Sequence, residues 1–149
     1  AYQLTMRSRA ARPVGYQRKE PQVATMASRT MKWGGVLILI FIIVHLLHFT
    51  TETIDPAGWR GMTDSQGHRD VYGNIVASFR IWWVSAFYII TMIALGLHLY
   101  HGAWSSVRTL GYAKPSPHPL HRRIALVVAV FVWAGFTLVP VGVIAGILR

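Results

Sequence analysis

The sequence contains no cysteine and very little acid. Of its 149 residues only five are Asp or Glu, against fifteen Lys or Arg, and charged residues make up 13% of the chain. Without cysteine there is no disulfide, no thiolate nucleophile and no in-chain ligand set for a Cys-bound iron–sulfur cluster. Soluble domains typically carry about 25% charged residues, so this composition argues against a soluble domain.

Three long segments lack Asp, Glu, Lys and Arg altogether: 33–51, 81–107 and 124–148. A helix needs about 20 apolar residues to cross about 30 Å of hydrocarbon, and a soluble core helix rarely stays uncharged for so long. The sequence therefore predicts an all-α membrane protein with transmembrane helices at 33–53, 80–107 and 122–148. Pro140 in the third helix is compatible with this prediction, because neighbouring helices in lipid can satisfy a freed carbonyl.

The segments between the predicted helices differ in character. Residues 1–32 form a basic loop with seven cations, 54–79 a polar, glycine-rich connection, and 108–121 a short loop with three prolines. Residues 1–6 resemble the end of an earlier apolar helix, which predicts further helices upstream, and the alternative is a basic N-terminal tail. The net charge of +10 is concentrated beside the apolar helices, which indicates membrane orientation and contact with anionic lipid rather than nucleic acid.

The distribution of cations predicts the orientation. Three crossings place the basic loop 1–32 and the loop 108–121 on one side, with eleven cations between them. The opposite side has four cations, which four acidic residues offset. By the positive-inside rule, the side with eleven cations faces the cytoplasm, and we expect a multi-pass protein of the cytoplasmic (inner) membrane.

Four histidines lie at membrane depth: His45, His48, His98 and His101. Ionisable groups inside a span are costly and by default suggest a function. No Asp or Glu lies within the spans to form a proton relay with them. A neutral imidazole in an apolar site is a good ligand for haem iron. The simpler alternative for each histidine is a hydrogen bond between packed helices.

The depths of these histidines can be estimated from the helical rise of about 1.5 Å per residue. His45 lies about 4 to 5 Å from the middle of its span toward the outside, and His98 roughly 8 Å from the middle toward the cytoplasm. Their separation of about 13 Å exceeds the roughly 4 Å between the two axial ligands of one haem. The sequence thus predicts two haems, each completed by a ligand from outside these three helices. His48 and His101 are secondary candidates for the haem pockets.

Two motifs carry a resemblance to a known family. Residues 28–34 (SRTMKWG), followed by 41–46 (FIIVHL), resemble the third helix of the five-helix, di-haem cytochrome b anchor subunit of succinate dehydrogenases and fumarate reductases. Residues 98–105 (HLYHGAWS) look like the end of the fourth helix of that family, and 11–16 (ARPVGY) like the loop after its second helix. The likeness covers most of the chain.

The resemblance implies that these are the last three helices of a five-helix haem-binding bundle. It makes His45 an axial ligand of the distal haem b and His98 an axial ligand of the proximal one, with partner histidines on the two missing helices. It also implies an anchor subunit of succinate:menaquinone oxidoreductase in the respiratory chain and tricarboxylic acid cycle. Such a subunit passes electrons between the iron–sulfur subunit and menaquinone, and contributes quinone reduction without oxidising succinate itself.

The same resemblance places the flavoprotein and iron–sulfur subunits on the cytoplasmic side. Arg29, Trp33 and Arg108 lie at that rim, where they are candidates to contact haem propionates, quinone or the docked subunit. Basic residues at such a rim more commonly meet lipid head groups. Three alternatives stay open: a non-redox, transporter-like helical protein, a cytochrome b of another quinone pathway and, as a minor case, a Rieske-type cluster completed by cysteines of a partner.

Overall fold

The computed structural model describes residues 26–112 and 120–149, together with positions 3, 6, 7, 10 and 11. For residues 26–29 the backbone alone is described. Most of the predicted basic loop, including the helix end predicted at 1–6 and the ARPVGY segment, lies outside the described residues. So does the proline-rich part of the loop 108–121.

The described chain is built from four helices. Helix α1 spans Met26–His45 and continues as a wider turn, Leu46–Thr50. Helices α2, α3 and α4 span Val71–Arg80, Trp82–Thr109 and Leu120–Ile144. Three stretches are long and apolar enough to cross a membrane, namely Thr30–Thr50, Trp82–Thr109 and Leu120–Ile144. The prediction of an all-α protein with three membrane-spanning helices is confirmed, and the chain is a multi-pass membrane protein.

The ends of the spans follow from local chemistry. Helix α1 begins at Met26, before the predicted boundary at residue 33, because its first polar turns are helical without being apolar. Helices α3 and α4 end at glycines with positive φ, Gly111 at 79° and Gly146 at 72°. Just beyond each glycine, a backbone N–H reaches back five residues to a helix carbonyl, Tyr112 to Val107 at 3.1 Å and Ile147 to Gly142 at 2.9 Å. Glycine adopts this left-handed cap without steric cost.

Helix α2 lies, apart from its last residue Arg80, within the segment for which the sequence predicted a polar connection, 54–79. Its start is capped by Asp70, whose Oδ1 accepts a hydrogen bond from the Gly73 N–H at 2.8 Å. Ile81 is extended and separates α2 from α3. Asn74 and Ser78 are buried, so this short helix covers the interior of the bundle rather than running freely through solvent.

The two ends of the bundle differ in packing. We call the end that carries residues 51–70 the connector end, and the end with the start of α1, the end of α3 and the start of α4 the basic end. The buried apolar core, which joins α2, α3 and α4, lies at the connector end. It consists of Val76, Phe79, Val84, Tyr88 and Val143.

Residues 51–70 are tied back to the end of α1 through Arg69. Its Nε donates to Glu52 Oε1 at 2.6 Å, and its guanidinium also donates to the Phe49 and Thr50 carbonyls. These carbonyls belong to the last helical turn, which has no further intrahelical donors. Arg69 therefore holds the connector against the helix that carries His45 and His48.

Candidate histidine sites in the membrane spans

His45 lies on the last turn of α1 and is exposed. Its ring adjoins three aromatic rings, with centroid distances of 5.4 Å to Phe41, 5.7 Å to Phe49 and 6.1 Å to Tyr88. It lines an apolar cavity of about 390 Å³ that also contacts Met92. An imidazole left facing acyl chains is costly, so a further helix or a bound group is expected to cover it.

His48 has the opposite surroundings although it is only three residues away. It is 3% exposed, and its ring stacks on Phe49 at 4.1 Å. Nδ1 lies 3.1 Å from the Tyr88 hydroxyl and Nε2 lies 3.0 Å from Ser78 Oγ. Because both ring nitrogens have hydrogen-bond partners, His48 offers no nitrogen to a metal in this arrangement.

The hydrogen bonds around His48 run in one direction. The Ser78 hydroxyl donates to Asn74 Oδ1 at 3.0 Å, so its oxygen accepts the Nε2–H of His48. A neutral His48 then carries its proton on Nε2 and accepts the Tyr88 O–H at Nδ1. Asn74 Nδ2 in turn donates to Glu52 Oε1 at 3.4 Å. These hydrogen bonds form a chain from the Tyr88 hydroxyl, whose ring contacts His45, to the Glu52 carboxylate at the connector end.

His98 lies in the basic half of α3. It lines a second cavity, of about 240 Å³, together with Trp33, Gly34 and Leu37 of α1. Its Nδ1 is buried and has no hydrogen-bond partner among the residues that the structure describes. A side-chain carbon at Gly34 would meet nothing within 4 Å, so the α1 wall of this cavity is open at that position.

The second glycine of interest, Gly96, has a different role. A side-chain carbon there would lie 3.3 Å from Cβ of Trp133, tighter than ordinary contact. Gly96 therefore permits the close approach of α3 to α4, which is the common reason for glycine in a membrane helix. Gly34 thus borders open space, whereas Gly96 allows two helices to pack closely.

His45 and His98 lie at different heights. His45 contacts Tyr88, and Tyr88 and His98 are ten residues apart on one continuous helix, which corresponds to about 15 Å. They line separate cavities, and each cavity has a single histidine among its described lining residues. In the described part of the chain, no three His, Cys, Asp or Glu side chains converge as a metal site.

At the basic end, the His101 ring meets the Trp104 ring edge-on at 5.4 Å, and its buried Nδ1 has no partner within the described ranges. Of the residues predicted at the rim, Trp33 lines the cavity of His98, whereas Arg108 lies over Trp104. The side chain of Arg29 lies outside the described residues.

Sequence reasoning missed Tyr88 and Ser78, which bond to His48, and the polar residues of the connector end that continue from Ser78, namely Asn74 and Glu52. The signal that marks them is an apolar stripe at helical spacing, Ile75 and Phe79, which indicates that the second half of the connection is a helix with an inner face.

No family model, no curated protein and no solved structure matches this chain. The histidine geometry and the resemblance of the motifs therefore carry the functional argument.

Proposed function

We propose that this chain is the membrane anchor and electron-transfer subunit of a succinate dehydrogenase, with His45 and His98 each an axial ligand of one haem b. One observation carries the proposal. Two imidazoles at different heights in the membrane spans each line a separate apolar cavity. This arrangement suits two redox centres that are stacked across a bilayer.

The residues present fit one half of each haem site. Neutral imidazole is the donor, and His98 retains a buried Nδ1 without a partner among the described residues. The open space at Gly34 adjoins the cavity of His98. When bound, haem b would supply a one-electron carrier at each position between the iron–sulfur subunit and menaquinone. The second ligand of each haem would come from helices outside the described chain.

The other residues of these sites would position the histidine rings or contact the docked subunits. The Tyr88 and Ser78 hydroxyls fix the His48 ring beside the aromatic wall of the His45 cavity. The cationic basic end would face the cytoplasm of the inner membrane, where flavoprotein and iron–sulfur subunits dock. Arg29, Trp33 and Arg108 would then lie toward those subunits, the haem propionates or the quinone.

The haem assignment is tested by a dithionite-reduced minus oxidised spectrum of the purified complex. His45→Ala and His98→Ala are expected to remove different haem components, because each histidine serves a separate centre. His68→Ala, in the exposed connector, is the matched control and should leave the spectrum intact. If His45→Ala and His98→Ala both retain the full spectrum, the ligand assignment is wrong.

The orientation can be tested because the chain has no cysteine. Single cysteines are introduced at Gln66 in the connector and at Arg123 at the basic end, both exposed positions. In spheroplasts, a membrane-impermeant maleimide should label Gln66→Cys directly. It should label Arg123→Cys only after the membrane is permeabilised. The reverse pattern would refute the basic-side-in orientation.

A non-redox, transporter-like protein is a second candidate, favoured by the hydrogen bonds from Tyr88 through His48 and Ser78 to Glu52. Asn74 lies within this chain, and an amide passes protons poorly, so the chain is better suited to orient His48 than to conduct. A transporter would show no haem absorbance. A cytochrome b of another quinone pathway would show haem that succinate does not reduce, whereas the proposed function requires reduction of haem by succinate in the complex.

A further inference from the structure

At the basic end, two arginines flank one buried tryptophan. The Cζ atoms of Arg108 and Arg122 lie 5.6 Å and 5.1 Å from the Trp104 ring centroid. Arg122 Nε also donates to the Tyr100 hydroxyl at 3.3 Å. Cation–π contacts of this kind hold guanidinium groups in place and leave most of their N–H donors unused. The cluster joins the end of α3 to the first turn of α4.

This cluster has cationic donors and no acidic partner among the residues that the structure describes. The sequence has no Asp or Glu between residues 71 and 149. Trp104 is 5% exposed, yet its indole Nε1 has no acceptor in the described part of the chain, and His101 Nδ1 beside it is also unpartnered there. Two guanidinium groups and a buried indole N–H together favour a ligand with several anionic oxygens.

An apolar groove begins at the same cluster. A cavity of about 430 Å³ runs between α3 and α4, lined by Ile93, Gly96, Leu97, Tyr100, Leu126 and Val130. Tyr100 belongs to both features, since its ring lines the groove and its hydroxyl accepts from Arg122. From Tyr100 to Ile93 the groove extends over about 10 Å of helix toward the membrane interior.

We propose that this end of the bundle binds one anionic phospholipid, with its phosphate on Arg122 and Arg108 and one acyl chain in the groove between α3 and α4. The charge of the cluster favours an anion, and the apolar groove that continues from it favours a hydrocarbon tail. The start of α4 adds the positive end of a helix dipole to the same place. The groove shares Ile93 and Leu97 with the His98 cavity but opens toward α4 rather than α1. The lipid proposal does not depend on the proposed redox function.

The test measures phosphatidylglycerol bound per protein by native mass spectrometry, with the intact complex in nanodiscs of phosphatidylcholine doped with phosphatidylglycerol. Arg122→Gln is expected to lower the apparent affinity about 10-fold, as for loss of a charge-assisted hydrogen bond. Val130→Phe, which narrows the groove from an exposed position, should give a loss of similar size. Arg123→Gln is the matched control, an exposed neighbour in the same helical turn, and should change the affinity by less than about 2-fold.

Three results would overturn the proposal. Equal losses in Arg122→Gln and Arg123→Gln would mean general surface charge, and unchanged binding in Val130→Phe would mean that no acyl chain enters the groove. Displacement of phosphatidylglycerol by millimolar inorganic phosphate would mean a site for a free anion. If Val130→Phe lowers thermal stability, Leu126→Phe tests the same α4 wall of the groove one turn nearer the basic end. The haem spectrum should be unchanged in Arg122→Gln, so the two proposals can fail separately.

Discussion

The two ends of the bundle satisfy their buried polar groups in different ways. At the connector end His48 has partners on both ring nitrogens. At the basic end His98, His101 and Trp104 each keep a buried nitrogen without a partner among the described residues. Native structures rarely leave such groups unsatisfied, so each one calls for an explanation. In the connector, the buried Trp59 Nε1 also has no partner among the described residues, so the contrast between the ends rests on the histidines. His48 is satisfied by the described chain, and His98 and His101 each keep an open nitrogen within it.

Replacement of His48 and of His98 by leucine should give the largest contrast. His48→Leu leaves the Tyr88 and Ser78 hydroxyls without their partner and is expected to lower the free energy of unfolding by roughly 1 to 3 kcal/mol. His98→Leu removes a ring nitrogen that bonds to nothing in the described chain, so its effect should be near zero. Unfolding of the haem-free chain in mixed micelles measures both. Equal losses of unfolding free energy in His48→Leu and His98→Leu would show that the two histidines do not differ in their contribution to stability.

Tyr88→Phe should give an intermediate effect. The substitution removes the hydroxyl that donates to His48 but keeps the ring, which meets Phe79 at 5.0 Å and Phe41 at 5.4 Å. A hydrogen bond between membrane helices is worth about 0.6 kcal/mol on average and at most about 1.7 kcal/mol.

A double-mutant cycle sharpens this prediction. In the His48→Leu background, Tyr88→Phe should cost almost nothing, because its partner is already absent. An unchanged cost in that background would show that the Tyr88 hydroxyl acts elsewhere.

The smallest expected effect is an acid-sensitive loosening of the connector. Partial burial tends to raise the pKa of Asp55, but the backbone N–H groups of Arg60, Trp59 and Gly58 lower it more, to below its ordinary value of 3.8. Because the folded-state pKa is below the unfolded one, the stabilisation is complete above pH 3.8 and is lost as the pH falls through the folded-state pKa.

Hydrogen exchange at the Trp59 and Arg60 amides, which bond to this carboxylate at 2.9 Å and 2.8 Å, measures the effect. Protection of these amides should fall with pH below 3.8 in the wild type. In Asp55→Asn their protection should show no such transition, apart from the intrinsic pH dependence of exchange. A transition that persists in Asp55→Asn would assign it to another group.

The membrane spans could be predicted from sequence because the membrane imposes a simple rule. A span must be long and uncharged, and the segments 33–51, 81–107 and 124–148 satisfy that rule without reference to any partner. The position at which α1 begins, Met26, could not be predicted from the lack of charge in this way. Hydropathy reports where a chain enters hydrocarbon, whereas the helix continues through polar residues on the water side.

The apolar stripe of helix α2 is visible in the sequence, but the burial of its polar residues could not be predicted from it. Asn74 and Ser78 look like loop residues in the sequence, yet their partners Glu52 and His48 lie 22 and 30 residues away, just beyond and within the turn after α1. Only the packed structure brings these groups together. The same holds for Arg108 and Arg122, which the sequence counts as orienting charges and the structure places together against the Trp104 ring.

The approximate heights of His45 and His98 were within reach of sequence because height along a helix increases linearly with residue number. The direction in which each ring points was not. It depends on the cavity beside each helix, and therefore on residues of the neighbouring helices such as Trp33 and Phe136.

The wide turn at Leu46–Thr50 makes the first span sensitive to length in a way that its hydropathy does not reveal. Its closing bond joins the Thr51 N–H to the Leu46 carbonyl, five residues back, and thereby alters the angular spacing of the side chains that follow His45. Deletion of Leu47 would leave a segment of almost the same hydropathy, and we expect it to insert into the bilayer as before. The imidazole now held by Tyr88 and Ser78 would be turned by about 100° around the axis and would lose both partners.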